Sequence, residues 1–160
     1  MLVQERYREF DPAEVRAVAT ELKGLEGPLL PILHALVDRF GYVDRRAIPI
    51  VAEVLNLSRA DVHGVVTFYH DFRQEPAGRH VIKLCQAEAC QSMGSDRVLA
   101  ALETALGIRL GETSPDGRVT LEPVYCLGLC ASAPSAMLDG ELHARLDPVS
   151  VLTLAQEVQA

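Results

Sequence analysis

No run of five basic residues occurs anywhere in this chain of 160 residues, and its formal net charge is −7. Gripping a phosphate backbone takes clustered Lys and Arg, so no nucleic-acid partner is expected, and the acidity reads as ordinary solubility. Long hydrophobic runs are missing too. The charge-free stretch from Val124 to Leu138 is interrupted by Gly128 and Pro134 and is too short to cross a bilayer, so no direct membrane insertion is expected. The opening residues, MLVQERYREFDPAEV, carry charge too early for a secretory apolar segment, which leads us to expect a cytoplasmic protein. Neither G-x-G-x-x-G nor a P-loop can be traced, and no Ser–His–Asp or Cys–His arrangement stands out. No independent active site is expected on this chain, and no catalytic residue is assigned. There is no internal repeat and no low-complexity tract. Only four cysteines are present.

What is there is enough apolar material, 49% of the residues, to bury a real core. Residues 11 to about 70 carry helical signals. Asp11 with Glu14 suggests a capping box, Pro12 suits a first helical position, and Val15, Val18, Ala19 and Leu22 recur at helical spacing before Gly24. A second helix is expected from near Pro31 to Gly41. A third begins around Ala47, limited by Pro49. A fourth is capped by Ser58 with Asp61, although Gly64 and the β-branched Val65, Val66 and Thr67 weaken it.

After Pro76–Gly78 the pattern changes. HVIKLC (80–85) reads as a buried strand, and Val98, Leu99, Ala101, Leu102, Ala105 and Leu106 form an amphipathic helix that starts at Ser95 or Asp96 and stops at Gly107. RVTLEPVYC (118–126) reads as a strand in which Pro123 points to an edge or a bulge. Asp139–Gly140 is a two-residue hairpin signal, and Asp147–Pro148 opens a last helix with Val151, Leu154, Ala155 and Val158 facing inward. The fold class is therefore α+β: an N-terminal helical bundle over 1–75, and a second domain over 76–160 with helices packed on a small mixed sheet.

Each cysteine pair follows a strand end, where a sheet projects its loops. The spacing is C-x4-C in LCQAEACQSMG, then 35 residues, then C-x3-C in CLGLCASAP. In a reducing compartment such thiols read as metal ligands or redox groups before they read as staples. Neither pair is C-x-x-C, so a thioredoxin-type dithiol is poorly supported, and structural zinc favours tighter knuckles. Wider pairs suit two sulfide-bridged irons, since each iron needs only its own two thiolates. Such a centre is negatively charged and is served by backbone N–H donors. Gly94 and Gly128 would let backbone approach, and the charge-free 124–138 loop would shelter it from water. Zinc, a disulfide and unligated thiols remain alternatives at this point.

CLGLCASAP resembles the CLGxCxxAP signature of the thioredoxin-like [2Fe–2S] subunits that accompany a flavin-binding subunit in NADH dehydrogenases, the complex I 24 kDa subunit family. GETSPDGRVTLEPVYC (111–126), VVTFYHDF (65–72) and LPILHALVDRFGYV resemble further family segments. The resemblance implies a thioredoxin-like [2Fe–2S] ferredoxin domain in which Cys85 and Cys90 hold one iron and Cys126 and Cys130 the other. It also implies an electron-carrying, non-catalytic subunit of an NAD-dependent oxidoreductase. FMN, NAD, further Fe–S clusters and, in the formate enzyme, a molybdenum cofactor would sit on partner subunits: a flavin- and NAD-binding subunit and a larger Fe–S or molybdenum catalytic subunit. LCQAEACQSMG (84–94) looks most like the gamma subunit of soluble NAD-dependent molybdenum formate dehydrogenases. Equivalent subunits serve NADH:quinone oxidoreductase and NAD-linked hydrogenase, and the alternative from another class is a zinc-stabilised scaffold subunit.

AIPIVAEVLNLSRADVHGVV (47–66) also resembles a helix–turn–helix, but Arg59 is offset by Asp61, and a packing helix pair that docks on the flavin subunit is the better reading. His34, His63, His70, His80 and His143 are scattered, with packing or surface roles expected. Glu88 reads as a solvated carboxylate and Met93 as a filler beside the cysteine loop.

Overall fold

The computed structural model describes residues 8–159, so the first seven residues, on which the reading of the N-terminus partly rests, lie outside it. The chain divides between Pro76 and Ala77 into two compact units.

The first unit holds four helices: α1 (Pro12–Leu22), α2 (Leu29–Phe40), α3 (Ala47–Leu55) and α4 (Arg59–Phe68). Val15, Ile32, Leu33, Leu36, Val51 and Val62 are fully buried at its centre. Asp11 caps α1 by accepting the Ala13 amide at 2.8 Å. The expected capping box does not form, because the Glu14 carboxylate is taken by Arg8 and Arg39, each at 2.8 Å. Gly24 is not the left-handed stop either; the left-handed glycine after α1 is Gly27, and α2 opens at Leu29 rather than Pro31. A proline is tolerated in a first turn because its missing N–H has no intrahelical partner there. The Ser58–Asp61 capping box does form and starts α4, which runs through Gly64.

The second unit is a four-stranded sheet in the order β2-β1-β3-β4, with β1 at His80–Cys85, β2 at Val119–Val124, β3 at Ala136–Leu138 and β4 at Glu141–His143. β1 and β2 are parallel, and the connection between them carries a short helix, α5 (Glu88–Ser92), and α6 (Ser95–Leu106). Parallel neighbours require such a crossover, whereas β3 and β4 pair antiparallel through the Asp139–Gly140 turn, both residues at positive φ. Pro123 lies in β2, an edge strand, where a missing ladder donor is tolerated. The last helix, α7 (Val151–Glu157), starts after Ser150 rather than at Pro148, because the Asp147 carboxylate accepts the Val149 and Ser150 amides in a preceding turn. Ile82, Leu84, Val98, Leu102, Leu121 and Val151 meet in the core of this unit.

Gly78 shows why a side chain is missing where β2 begins. A Cβ there would sit 2.7 Å from the Val119 carbonyl carbon. The close approach lets the Gly78 amide reach Thr120 Oγ1 at 2.6 Å.

Two stability outcomes are expected. Leu102→Ala, at a site with 0% exposure, costs about 2–5 kcal/mol in urea unfolding of the second unit, and a loss below about 1 kcal/mol would contradict this core. Ser58→Ala costs about 1 kcal/mol through loss of the cap, read in the same titration from the helical signal.

Candidate metal centre

The parallel register pairs Cys85 with Val124, so both strands discharge their loops from one edge of the sheet, with Cys126 only two residues past the last pair. The same edge receives the start of β3, where the Cys85 amide donates to the Ser135 carbonyl at 3.0 Å. Three chain segments thereby meet, and all four cysteines lie on them.

Cys85 ends β1, and Cys90 sits in α5; both are 2% exposed. Cys126 and Cys130 are exposed, with Cys130 opening a 3-10 turn, Cys130–Ser132. The Sγ atoms of Cys126 and Cys130 are 3.6 Å apart, far beyond a disulfide bond of about 2.05 Å, and all four cysteines are free. The first loop is braced from beneath. Buried Ser95 donates to the Cys85 carbonyl at 2.7 Å and accepts from Gln86 Nε2 at 3.0 Å, while Gln91 Nε2 holds the Gln86 carbonyl at 2.9 Å.

Backbone amides point at the sulfurs. The Gly128 amide lies 3.4 Å from Cys126 Sγ. Burial works to raise the Cys85 pKa, yet the amides of Ala87, Cys126 and Leu127 and the Cys90 thiol overcome it, so the Cys85 thiol is held below its ordinary value. Two of those amides come from the other cysteine loop, so that loop passes beside Cys85. Burial raises the Cys90 pKa, and the neighbouring Cys85 adds to the shift. Cys130 is raised by its hydrogen bond and like charge with Cys126, with smaller contributions from Cys90 and Cys85. Four thiolates crowded together repel, and an ion that draws off their charge relieves this.

Cys126 has a φ of 93°, in the left-handed region that favours glycine, and Gly128 follows at 78°. A side chain at such an angle costs about 1–3 kcal/mol and marks a site where the surrounding structure holds the residue in place.

Thiols in two pairs, ringed by amide donors and free of carboxylates between Val124 and Leu138, suit two irons better than one ion. Among the described residues no group of three or more His, Cys, Asp or Glu is gathered as a single-ion site.

The structure corrects several expectations about the surroundings. The charge-free loop does not shelter the site within its own unit, because Tyr125 is 67% exposed and Cys126 and Cys130 face solvent; lacking charge is not the same as being covered. Met93, at 61% exposure, fills no gap. Gly94 (φ 95°) and Gly128 are required by their backbone angles, not by a close neighbour's need for room: nothing lies within 4 Å of a Cβ at Gly128, and the flexible Arg97 guanidinium is the nearest group at Gly94. The α5 turn is hidden in the sequence, since five residues display less than two helical repeats. The histidines stay apart. His34 packs edge-on against Phe72, His80 bonds Asp139 at 2.6 Å, and the buried His143 Nε2 takes no hydrogen-bond partner among the described residues. Ser135, which touches both buried cysteines, carries no signal in the sequence, because an isolated serine beside a proline has no pattern.

Residues 9–159 match the family of thioredoxin-like [2Fe-2S] ferredoxins, and the chain belongs to that family. It is 36% identical over 158 residues to an NADH-quinone oxidoreductase subunit of Pseudomonas aeruginosa, covering 97% of this chain and 95% of that protein. It is 38% identical over 151 residues to the like-named protein of Escherichia coli K12, covering 92% and 91% respectively. Among solved structures, an NAD+-reducing [NiFe]-hydrogenase in the air-oxidized state superposes with a TM-score of 0.68 at 26% identity, over 82% of this chain and 22% of the hydrogenase chain. No helix among the described residues is long and apolar enough to cross a membrane.

The strain at Cys126 has a measurable consequence. In the metal-free chain Cys126→Gly is expected to be about 1 kcal/mol more stable than Cys126→Ala, since both lack the sulfur and only glycine accepts φ of 93° freely. Equal urea midpoints would show that the backbone there is unstrained.

Proposed function

We propose that this chain is an electron-carrying subunit of an NAD-linked oxidoreductase complex, holding one [2Fe–2S] cluster through Cys85, Cys90, Cys126 and Cys130. The observation that carries the reading is geometric: the parallel ladder of β1 and β2 ends at Cys85 and Val124, so the loops bearing Cys90 and Cys126–Cys130 leave the same end of the sheet. In the pairing we assign, Cys85 and Cys90 hold one iron and Cys126 and Cys130 the other. When bound, the cluster supplies reversible one-electron chemistry. The chain's own residues hold it and tune it: Ser95 and Gln86 fix the first loop, the amides of Ala87, Cys126, Leu127 and Gly128 stabilise negative charge on sulfur, and the exposed Cys126–Cys130 side faces outward. In this reading catalysis belongs to the partners.

Those partners are, in this reading, a subunit that binds FMN and NAD and a larger Fe–S subunit, working in the cytoplasm. The helical unit is the docking part. Its Phe68 is 73% exposed beside Tyr69, and an apolar groove of about 710 Å³ opens nearby, lined by Leu29, Leu30, Leu55, Leu57 and Val65. Similarity to NADH-quinone oxidoreductase subunits and to an NAD+-reducing hydrogenase favours one of those two parent complexes. The formate dehydrogenase reading, with its molybdenum cofactor, rests on residues 84–94 alone and is weaker than either.

The purified chain is expected to contain iron and acid-labile sulfide and to show an EPR signal on reduction; a colourless zinc protein would overturn the assignment. Cys90→Ser is expected to abolish or reshape that signal with little effect on the helical unit, and an unchanged spectrum would remove Cys90 from the ligand set. Capture of the tagged chain from its host is expected to bring quinone reductase or hydrogenase subunits, and a molybdenum subunit in their place would restore the formate reading.

A further inference from the structure

The Cys90 sulfur has a neighbour of a different kind from the others. Ser135 Oγ lies 3.7 Å from Cys90 Sγ, and Ser135 is 1% exposed. Among the described residues, the other polar contacts to the four sulfurs come from backbone amides or from cysteines. Ser135 cannot swing away easily. Its carbonyl accepts the Cys85 amide at 3.0 Å, and the next residue, Ala136, is paired with Leu84 in the sheet.

Between a neutral thiol and a hydroxyl, either partner can donate. A metal-bound cysteine has no proton, so there the hydroxyl must be the donor and the sulfur the acceptor. We propose that the Ser135 hydroxyl donates a hydrogen bond to the Cys90 thiolate and thereby raises the reduction potential of the centre. The inference rests on the cluster reading given above. Reduction adds one electron, and part of that charge falls on the ligand sulfurs. A hydrogen bond strengthens as its acceptor becomes more negative, so it stabilises the reduced state more than the oxidised one. No covalent step or co-reactant is involved. Ser135 is thus a tuning and positioning residue built from a side chain, and it can be altered without touching the amide cage that serves Cys85 and Cys126.

The test is a dye-mediated redox titration of the full chain, read by EPR. Ser135→Ala is expected to raise the oxidised-to-reduced ratio at a fixed ambient potential about two- to tenfold, as loss of one modest hydrogen bond implies. A tenfold change corresponds to a potential lower by about 59 mV for a one-electron couple. Ser135→Thr, which keeps the hydroxyl, is expected to stay near the wild-type midpoint. Ser92→Ala is the control, because the Ser92 hydroxyl bonds the Ala89 carbonyl rather than a sulfur, and its midpoint is expected to stay put. An intact signal with an unmoved midpoint in Ser135→Ala overturns the role of Ser135 and leaves the cluster reading standing. A wild-type chain with no reducible centre overturns both. If the alanine variant loses its cluster, the shape-matched pair Ser135→Thr and Ser135→Val decides: a lower midpoint in the valine variant supports the role. Equal midpoints, or loss of the centre from both, overturn it.

Discussion

The site depends on the parallel pairing of β1 with β2. Two adjacent parallel strands end at the same edge of a sheet, so whatever follows each of them must emerge side by side. Here the pair Cys85 and Val124 closes the ladder, and the Gln86 amide extends it by donating to the Val124 carbonyl at 2.8 Å. Sulfurs separated by 35 residues of chain are brought together by a backbone ladder, not by any attraction between themselves. Four thiolates held close together would in fact drive each other apart, because like charges repel. The fold therefore supplies the work of gathering like charges, and a metal centre is what makes that gathering favourable.

The second constraint is the return of the chain. From Cys130 the backbone passes Pro134, joined to Ala133 by a cis peptide bond, and enters β3 antiparallel to β1. This return puts Ser135 between the two buried cysteines, bonded through its carbonyl to one and through its hydroxyl to the other. The hydroxyl contact is local in space and remote in sequence. A reader of the sequence sees Ser135 as one of two serines flanking an Ala-Pro, with nothing to separate it from Ser132. Only the register of β3 against β1 makes the distinction.

Elements with a repeating pattern were legible, and those set by a single contact were not. β1 falls on residues 80–85 as its apolar run predicts, α6 spans Ser95 to Leu106 between its glycines, and the Asp139–Gly140 hairpin turns where its two-residue signal lies. The thioredoxin-like family was legible through the cysteine loop and its flanks. By contrast, Asp11 and Glu14 have the spacing of a capping box, but Arg8 and Arg39 compete for the Glu14 carboxylate and win it with charge. The α7 start lies later than its Asp-Pro signal because the Asp147 side chain commits its acceptors to a turn. Helix α5, at five residues, is too short to display a helical repeat in the sequence.

The two cysteine pairs are unlike in a way that composition could not announce. Cys85 and Cys90 are buried against the sheet, whereas Cys126 and Cys130 stand at the surface beside exposed Tyr125. A loop without charged residues suggests shelter, yet here it is an uncharged surface. For a carrier of single electrons this asymmetry has a direct use. A centre bathed in water must reorganise solvent at each change of charge. An uncharged rim around two exposed sulfurs is one that a surface could cover without stripping water from ions. The left-handed backbone at Cys126 follows from the same demand on position: a glycine would sit there more easily, but glycine carries no sulfur.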